Sequence, residues 1–318
     1  MKQPLVILTG PTAVGKTALS IELAKLINGE IISADCMQVY KRMDVGSAKI
    51  TPDEMDGVKH HLIDIMEPSE SFDVVLFKEL AEAAIKDISD RGHIPIICGG
   101  TGFYIQALLY DIDFTLDTSS KSLREEFESF ADVNGNEALW QKLYEMDVEA
   151  ANQIPFNNRR KVVRALEYIT LTGESFSEHN KTQRMKESAY NHAYFVITDE
   201  REKLYERINK RVDVMIENGL LKEVKGLMAE NLDLDSQAMK GIGYQEIAQY
   251  LCDNCSYEEA VELIKQNSRH YAKRQLTWFR RERDVIWLDK SKLENKDDML
   301  SVINNELLTR GIISERII

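Results

Sequence analysis

Gly10, Gly15, Lys16 and Thr17 stand in the stretch GPTAVGKT at the spacing G-x-x-x-x-G-K-[ST]. That spacing holds phosphate. The glycines let successive backbone N–H groups converge on phosphate oxygens, the lysine adds a point charge, and the threonine hydroxyl is a ligand for Mg²⁺. The loop from Gly10 through Pro11, Thr12, Ala13, Val14 and Gly15 to Lys16 and Thr17 is therefore expected to cradle phosphates, with Thr17 at the metal. A hydrolytic NTPase also needs a carboxylate for Mg²⁺, usually an Asp ending a later apolar strand. The best such run, IPIICGG, ends instead in Gly99 and Gly100, with Thr101 next. The carboxylate follows a different run, IISADCMQVY, which puts Asp35 at its end. The phosphate loop is present and the hydrolytic acid is displaced, which leaves room for Asp35 to act as a base on a separate acceptor.

These residues need a frame. PLVILT precedes the glycine loop as a short apolar run, and ALSIELAKLI follows with helical spacing, so the positive end of a helix faces the phosphates. EIISAD is a second apolar run. FKELAEAAIKDISDRG reads as a helix stopped at Gly92, and IPIICGG as a third strand. This alternation predicts an α/β fold: a P-loop NTPase-like parallel sheet flanked by helices, with the site at the carboxyl edge of its strands. From about 116 to 191 the chain is charged, helical and poor in strand signal, and is read as a mainly helical insertion domain. The catalytic core is then 1–115 with 192–318. HAYFVITD returns to the sheet. EKLYERINKRVDVMIENG is a helix with Gly219 as its C-cap, the segment from Ser256 to Arg283 is a long helix, and VIWLD is the last strand.

Composition sets limits. The chain has 318 residues, is 43% apolar and carries a net charge of −13, so any nucleic-acid site must be a local basic patch. One such patch runs from Lys265 to Arg283: Lys265, Arg269, Lys273, Arg274, Arg280, Arg281 and Arg283 against the single acid Glu282, with Tyr271, Trp278 and Phe279 interleaved. A second, Arg159, Arg160, Lys161 and Arg164, lies on the insertion, and two such surfaces suggest a cleft that grips RNA. Cys252 and Cys255 form a lone CxxC without partners spaced for zinc, and the adjacent His60 and His61 point apart on a strand, so both pairs are read as structural. No run reaches the length of a membrane span and the apolar start is too short for a signal sequence; a cytoplasmic monomer is expected.

At this level a nucleoside kinase and a non-catalytic RNA-binding protein remain open, since each shares part of the pattern. Further stretches narrow the choice. GPTAVGKT, SADCMQVY, GSAKIT, HHLIDI, GGTGFYI, NNRRKVVRALE, MKGIGYQE and YAKRQLTWFRRE, in this order from about residue 4 to 290, resemble the bacterial tRNA dimethylallyltransferases. Cys36 departs from that pattern, which usually has Ser. The resemblance implies transfer of a dimethylallyl group from dimethylallyl diphosphate to the exocyclic amine of the adenosine 3′ to the anticodon, with Mg²⁺ as cofactor and tRNA and dimethylallyl diphosphate as partners. It implies Asp35 as the base, Thr101 near the transferring oxygen, and Lys16 and Arg211 on the diphosphate. Arg207, one helical turn before Arg211, stays a second candidate. Asp35, Cys36, Met37, Gln38 and Thr101 are expected beside the target adenosine. Arg160, Lys161, Arg164, Arg269, Lys273, Arg274 and Arg280 are expected along the RNA backbone.

Overall fold

The structure is a computed structural model that describes residues 2–112, 121–293 and 295–315. Among these residues the strands β1 (Pro4–Thr9), β2 (Gly29–Ala34), β3 (His60–His61), β4 (Ile94–Gly99), β5 (Asn191–Thr198) and β6 (Val285–Asp289) form one sheet in the order β3-β2-β4-β1-β5-β6. Every pairing is parallel. The central strand shows why: Leu5, Val6, Ile7 and Leu8 are all fully buried, so the strand has no solvent face. Continuous apolar runs of this kind are typical of parallel sheets covered on both sides. Each buried aliphatic side chain contributes about 1.5–3 kcal/mol relative to exposure.

Helices α1 (Lys16–Leu26), α2 (Pro52–Met55), α3 (Val74–Asp90) and α4 (Gly102–Leu109) connect the first half of the sheet. After the sheet resumes come α10 (Arg201–Glu217), α11 (Leu220–Ala229), α12 (Tyr244–Leu251), α13 (Tyr257–Phe279) and α14 (Lys296–Thr309). Gly219, expected as a C-cap, lies one residue beyond the cap Asn218 and also opens α11 with φ 93°. The long helix stops at Phe279, short of the expected Arg283. Helices α11, α12 and α14 are additions to the sequence reading, as is the short edge strand β3, which pairs with β2. His61 Nε2 lies 2.7 Å from Glu30 Oε2, and Glu30 also accepts from Arg91. The Arg91 guanidinium holds the Glu30 carboxyl down to about 2. His60 Nδ1 turns to Val58 O.

The chain forms two compact units, one made of residues 1–108 with 189–318 and the other of residues 109–188. The junction expected at 115/116 lies outside the described residues. The second unit comprises α5 (Lys121–Asn134), α6 (Asn136–Met146), α7 (Val148–Gln153), α8 (Arg159–Thr172) and α9 (Phe176–Met185). Its core is its own: Leu139, Leu143, Ala151, Val162, Ala165 and Leu166 are buried together. Its buried acids are paired or capped. Asp147 accepts from Ala150 N and Ser177 N, and Glu167 accepts from Arg124 through both oxygens.

Register places the site. Thr9 of β1 and Ala34 of β2 both align with Gly99 of β4. The residues that follow, Gly10, Asp35 and Gly100, therefore leave the carboxyl edge of the sheet side by side. The strands meet closely here: a Cβ on Gly99 would stand 2.2 Å from Ala34 O, so only glycine fits.

Candidate active site

Three segments converge at that edge: the loop Gly10–Gly15 entering α1, the turn Asp35–Gln38 after β2, and Thr101 before α4. Gly15 caps α1 in the left-handed region, at φ 99°, and Lys16 and Thr17 open the helix. The first N–H groups of a helix have no intrahelical acceptor and carry its positive dipole end, so they face an anion. Within the loop not every residue offers a donor. Pro11 has no N–H, and Thr12 N donates to Gln275 Oε1 at 2.9 Å. The donors for an anion come from Ala13 onward.

The carbonyls of the same loop are taken up by cations. Lys16 Nζ donates to Gly10 O at 3.0 Å and Pro11 O at 2.9 Å. Arg207 Nε donates to Ala13 O at 3.1 Å, and Lys290 Nζ to Val14 O at 3.3 Å. With its carbonyls engaged, the loop keeps its N–H groups for a ligand. Gln275 adds a staple: its Nε2 donates to Gly100 O at 2.9 Å while its Oε1 holds Thr12, which ties the phosphate loop to the turn bearing Thr101.

The two α10 arginines have different tasks. Arg207 places Nη2 on the buried carboxylate of Asp199 at 2.6 Å and Nε on Ala13 O of the loop. Arg211 makes one long hydrogen bond, Nη2 to Ser47 O at 3.3 Å, and its buried Nε has no acceptor. Both guanidinium groups keep N–H donors, but the buried one without an acceptor belongs to Arg211. Burial lowers its pKa, opposed by the field of Asp35, and it remains charged. Burial also brings the Lys16 ammonium down to about 8, with Arg211 adding to the depression and Asp35 opposing it. Lys16, Arg211 and Asp35 thus lie within each other's electrostatic reach.

Asp35 Oδ1 accepts from Met37 N at 2.8 Å and Gln38 N at 3.3 Å. The carboxylate therefore caps its own turn, which fixes its orientation, while Oδ2 stays available. Around it, burial pushes the Cys36 thiol up to about 12 and raises the Tyr271 hydroxyl. Both face Thr101, whose Oγ1 is buried without a well-formed hydrogen bond. Gln38 Nε2 donates to Ala48 O at 3.3 Å, and the Met37 side chain packs on Gly241.

The basic segments are placed as follows. His270, Lys273, Arg274, Thr277, Trp278 and Arg281 line one groove of about 370 Å³ along α13. Arg269, expected in that stripe, donates to Asn209 Oδ1 at 2.6 Å, and Lys265 pairs with Asp213 at 2.7 Å. Arg280 is exposed at the helix end. Glu282, the one acid in the run, accepts from Gln106 at 3.1 Å and burial pushes it up to about 7, so it is only partly ionised at neutral pH. In the helical unit Arg160 and Lys161 are exposed on the first turn of α8, whereas Arg164 is half-buried with a lowered pKa. Arg159 is taken by Asp132 at 2.7 Å. Sequence reasoning missed Gln275, Lys290 and His270. Gln275 and Lys290 act on backbone atoms more than 250 residues away in the chain, for which no local pattern exists.

A family model described as IPP transferase matches residues 38–282. The chain is 54% identical over 311 residues to the tRNA dimethylallyltransferase of Lachnoclostridium phytofermentans, covering 98% of this chain and 99% of that one. It is 53% identical over 288 residues to that of Bacillus velezensis, covering 91% of each. Among solved structures it is similar to the full-length tRNA isopentenylpyrophosphate transferase of Bacillus halodurans, with a TM-score of 0.73, 45% identity and 98% of both chains covered. It is also similar to a eukaryotic dimethylallyltransferase solved acting on tRNA, with a TM-score of 0.83, 28% identity, and 97% of this chain and 80% of that one covered. The family model over residues 38–282 and relatives more than half identical over nine-tenths or more of the chain show the kinship: this chain belongs to the IPP transferase family, among the tRNA dimethylallyltransferases.

Proposed function

We infer that the protein transfers a dimethylallyl group from dimethylallyl diphosphate to the exocyclic amine of the adenosine 3′ to the anticodon in tRNA, releasing diphosphate. The observation that carries this reading is the placement of the Asp35 carboxylate, with one oxygen free, within reach of Lys16 and Arg211 on a common sheet edge. A kinase can also use a base there, to take the proton of an acceptor hydroxyl; the near-full-length similarity to tRNA dimethylallyltransferases favours alkyl transfer. In that transfer the base is needed because the adenine amine is a poor nucleophile until its proton can leave.

As the allylic C–O bond breaks, negative charge grows on the diphosphate. The N–H groups from Ala13 to Thr17, Lys16 and the spare donors of Arg211 are positioned for it, and one such donor is worth roughly 100- to 1,000-fold in rate. Lys16 exchanges its loop carbonyls for phosphate oxygens. Thr101 Oγ1, buried and lacking a well-formed bond, is suited to donate to the oxygen that leaves with the diphosphate. As the new N–C bond forms, Asp35 Oδ2 takes the amine proton. General-base help of this kind is worth about 100- to 10,000-fold. The residues fit Mg²⁺: Thr17 is exposed on the first turn of α1 beside the loop, where its hydroxyl would hold the ion against the diphosphate. When bound, the ion would offset leaving-group charge.

The substrate RNA is held by charge local to α13 and α8. Lys273, Arg274, Arg280, Arg281, Arg160 and Lys161 are exposed, and they carry the backbone contacts in this reading. Loop adenosines are poorly stacked, so turning one into the site costs only a few kcal/mol. The reaction belongs to the cytoplasm, with the protein acting as a monomer. Asp35→Asn tests the assignment. Transfer should fall by at least about 100-fold while tRNA affinity changes by less than about threefold. Transfer at the parent rate would remove Asp35 from the mechanism.

A further inference from the structure

The stretches GSAKIT and MKGIGYQE have no place in the chemistry above, yet the fold joins them. Glu223, on α11, receives four hydrogen bonds. Its Oε2 accepts from Asp44 N at 2.9 Å and Val45 N at 2.8 Å, and its Oε1 from Gly46 N at 3.0 Å and the Tyr244 hydroxyl at 2.7 Å. A carboxylate holding three consecutive N–H groups fixes a turn as firmly as a ligand would. Tyr244 is fully buried and its ring presses on Gly46, where an added Cβ would stand 2.5 Å from Cζ. The turn is closed from inside by Ser47 Oγ to Met43 O at 2.6 Å. Lys49 Nζ meets Tyr40 O at 2.6 Å and Asp64 Oδ1 at 2.9 Å. Ala48 stands at φ 44°, a left-handed conformation that a non-glycine residue keeps only when its surroundings impose it.

Two carbonyls leave this turn toward the site. Ser47 O accepts from Arg211 Nη2 at 3.3 Å, and Ala48 O accepts from Gln38 Nε2 at 3.3 Å. The first orients the guanidinium that faces the departing diphosphate. The second orients the amide beside Asp35. Consecutive residues of one turn therefore set a side chain on the donor side and one on the acceptor side. Neither Glu223 nor Tyr244 needs to touch a substrate for this.

We propose that Glu223, with Tyr244, is a positioning residue for the transfer: it clamps the 44–48 turn so that Ser47 O and Ala48 O hold Arg211 and Gln38 in register. This rests on the transferase reading for Gln38, whereas the Arg211 arm needs only that the loop binds diphosphate.

The test is a mutant cycle on the full chain. Glu223→Gln replaces one acceptor oxygen by an NH₂ that opposes the turn's N–H groups. It should lower kcat/KM for dimethylallyl diphosphate by about 10- to 100-fold and, in a background carrying both Arg211→Ala and Gln38→Ala, by less than about threefold, because the clamp acts through those two side chains. Tyr244→Phe removes one of the four bonds and no core volume, and should shift the same parameter in the same direction by about threefold. Calorimetric titration with inorganic diphosphate supplies a readout independent of transfer. Glu223→Gln should weaken binding about tenfold in the parent and not measurably in the Arg211→Ala background. Equal losses in the parent and in these backgrounds, or parent-like kinetics and binding in a folded Glu223→Gln protein, would overturn the proposal. If the parent protein transfers no dimethylallyl group but the diphosphate coupling is present, the transferase reading fails and the clamp on Arg211 stands.

Discussion

Single side chains decide this site by how their capacity is divided. Arg207 and Arg211 lie one helical turn apart and are indistinguishable by type, yet one is tied to Ala13 O and Asp199 and the other keeps a buried Nε without an acceptor. Asp35 divides its two oxygens in the same way: Oδ1 holds its own turn, and Oδ2 is the one left for a proton in the proposed reaction. Lys16 makes the consequence measurable. In the proposed reaction its charged form binds the diphosphate, and its pKa in the ligand-free protein is lowered to about 8, chiefly by burial. The ammonium is lost as pH rises through that value, so kcat/KM for dimethylallyl diphosphate should be level below it and fall about tenfold per unit above it. Bound diphosphate favours the charged form, so the same limb in kcat should move to higher pH. A profile of both parameters between about pH 6 and 10 checks this. A kcat/KM flat to about pH 10 would remove Lys16 from donor binding.

Elements supply the register that brings these groups together. Gly10, Asp35 and Gly100 are neighbours because Thr9, Ala34 and Gly99 form one row across three parallel strands. This much is legible in the sequence. Apolar runs ending in glycine or aspartate announce strand ends, and the GPTAVGKT spacing announces what lies beyond the first. The capped long helices and the strands at Asn191 and Val285 are likewise readable. The staples are not. Gln275 reads as one polar residue in a basic helix, but it is buried and bonds Thr12 N and Gly100 O. Its partners are backbone atoms, which leave no trace in residue type. The same holds for Lys290 and Glu223. Spacing gives the basic stripe but not the neighbours of each cation: Arg269 also donates to Asn209, on another helix. Gln275→Leu, close in volume, leaves a buried N–H and a buried C=O unsatisfied. It should cost about 2 kcal/mol in thermal or denaturant unfolding and weaken diphosphate binding about tenfold as the loop loosens. Unchanged affinity in a destabilised protein would confine Gln275 to the fold.

At the scale of the whole molecule, an acidic chain handles a polyanion by concentrating its basic residues. The net charge is −13, yet exposed cations crowd the face of α13 from Lys273 to Arg281, with Glu282 withdrawn by burial. Each of the two units carries its own core, and the described helices include none long and apolar enough to cross a membrane. Family membership follows from identity along nearly the full length, and the geometry fits the chemistry: an anion loop next to a carboxylate with one oxygen free. The central claim is that the loop releases diphosphate while Asp35 accepts a proton from RNA. It is tested most directly by incubating the protein with Mg²⁺, unmodified tRNA and dimethylallyl diphosphate labelled in the allyl group, then digesting the RNA to nucleosides. The account predicts label in N6-(dimethylallyl)adenosine, matched by released diphosphate and independent of any nucleoside triphosphate. RNA without label, or transfer that requires ATP and leaves phosphate on the acceptor, would contradict it.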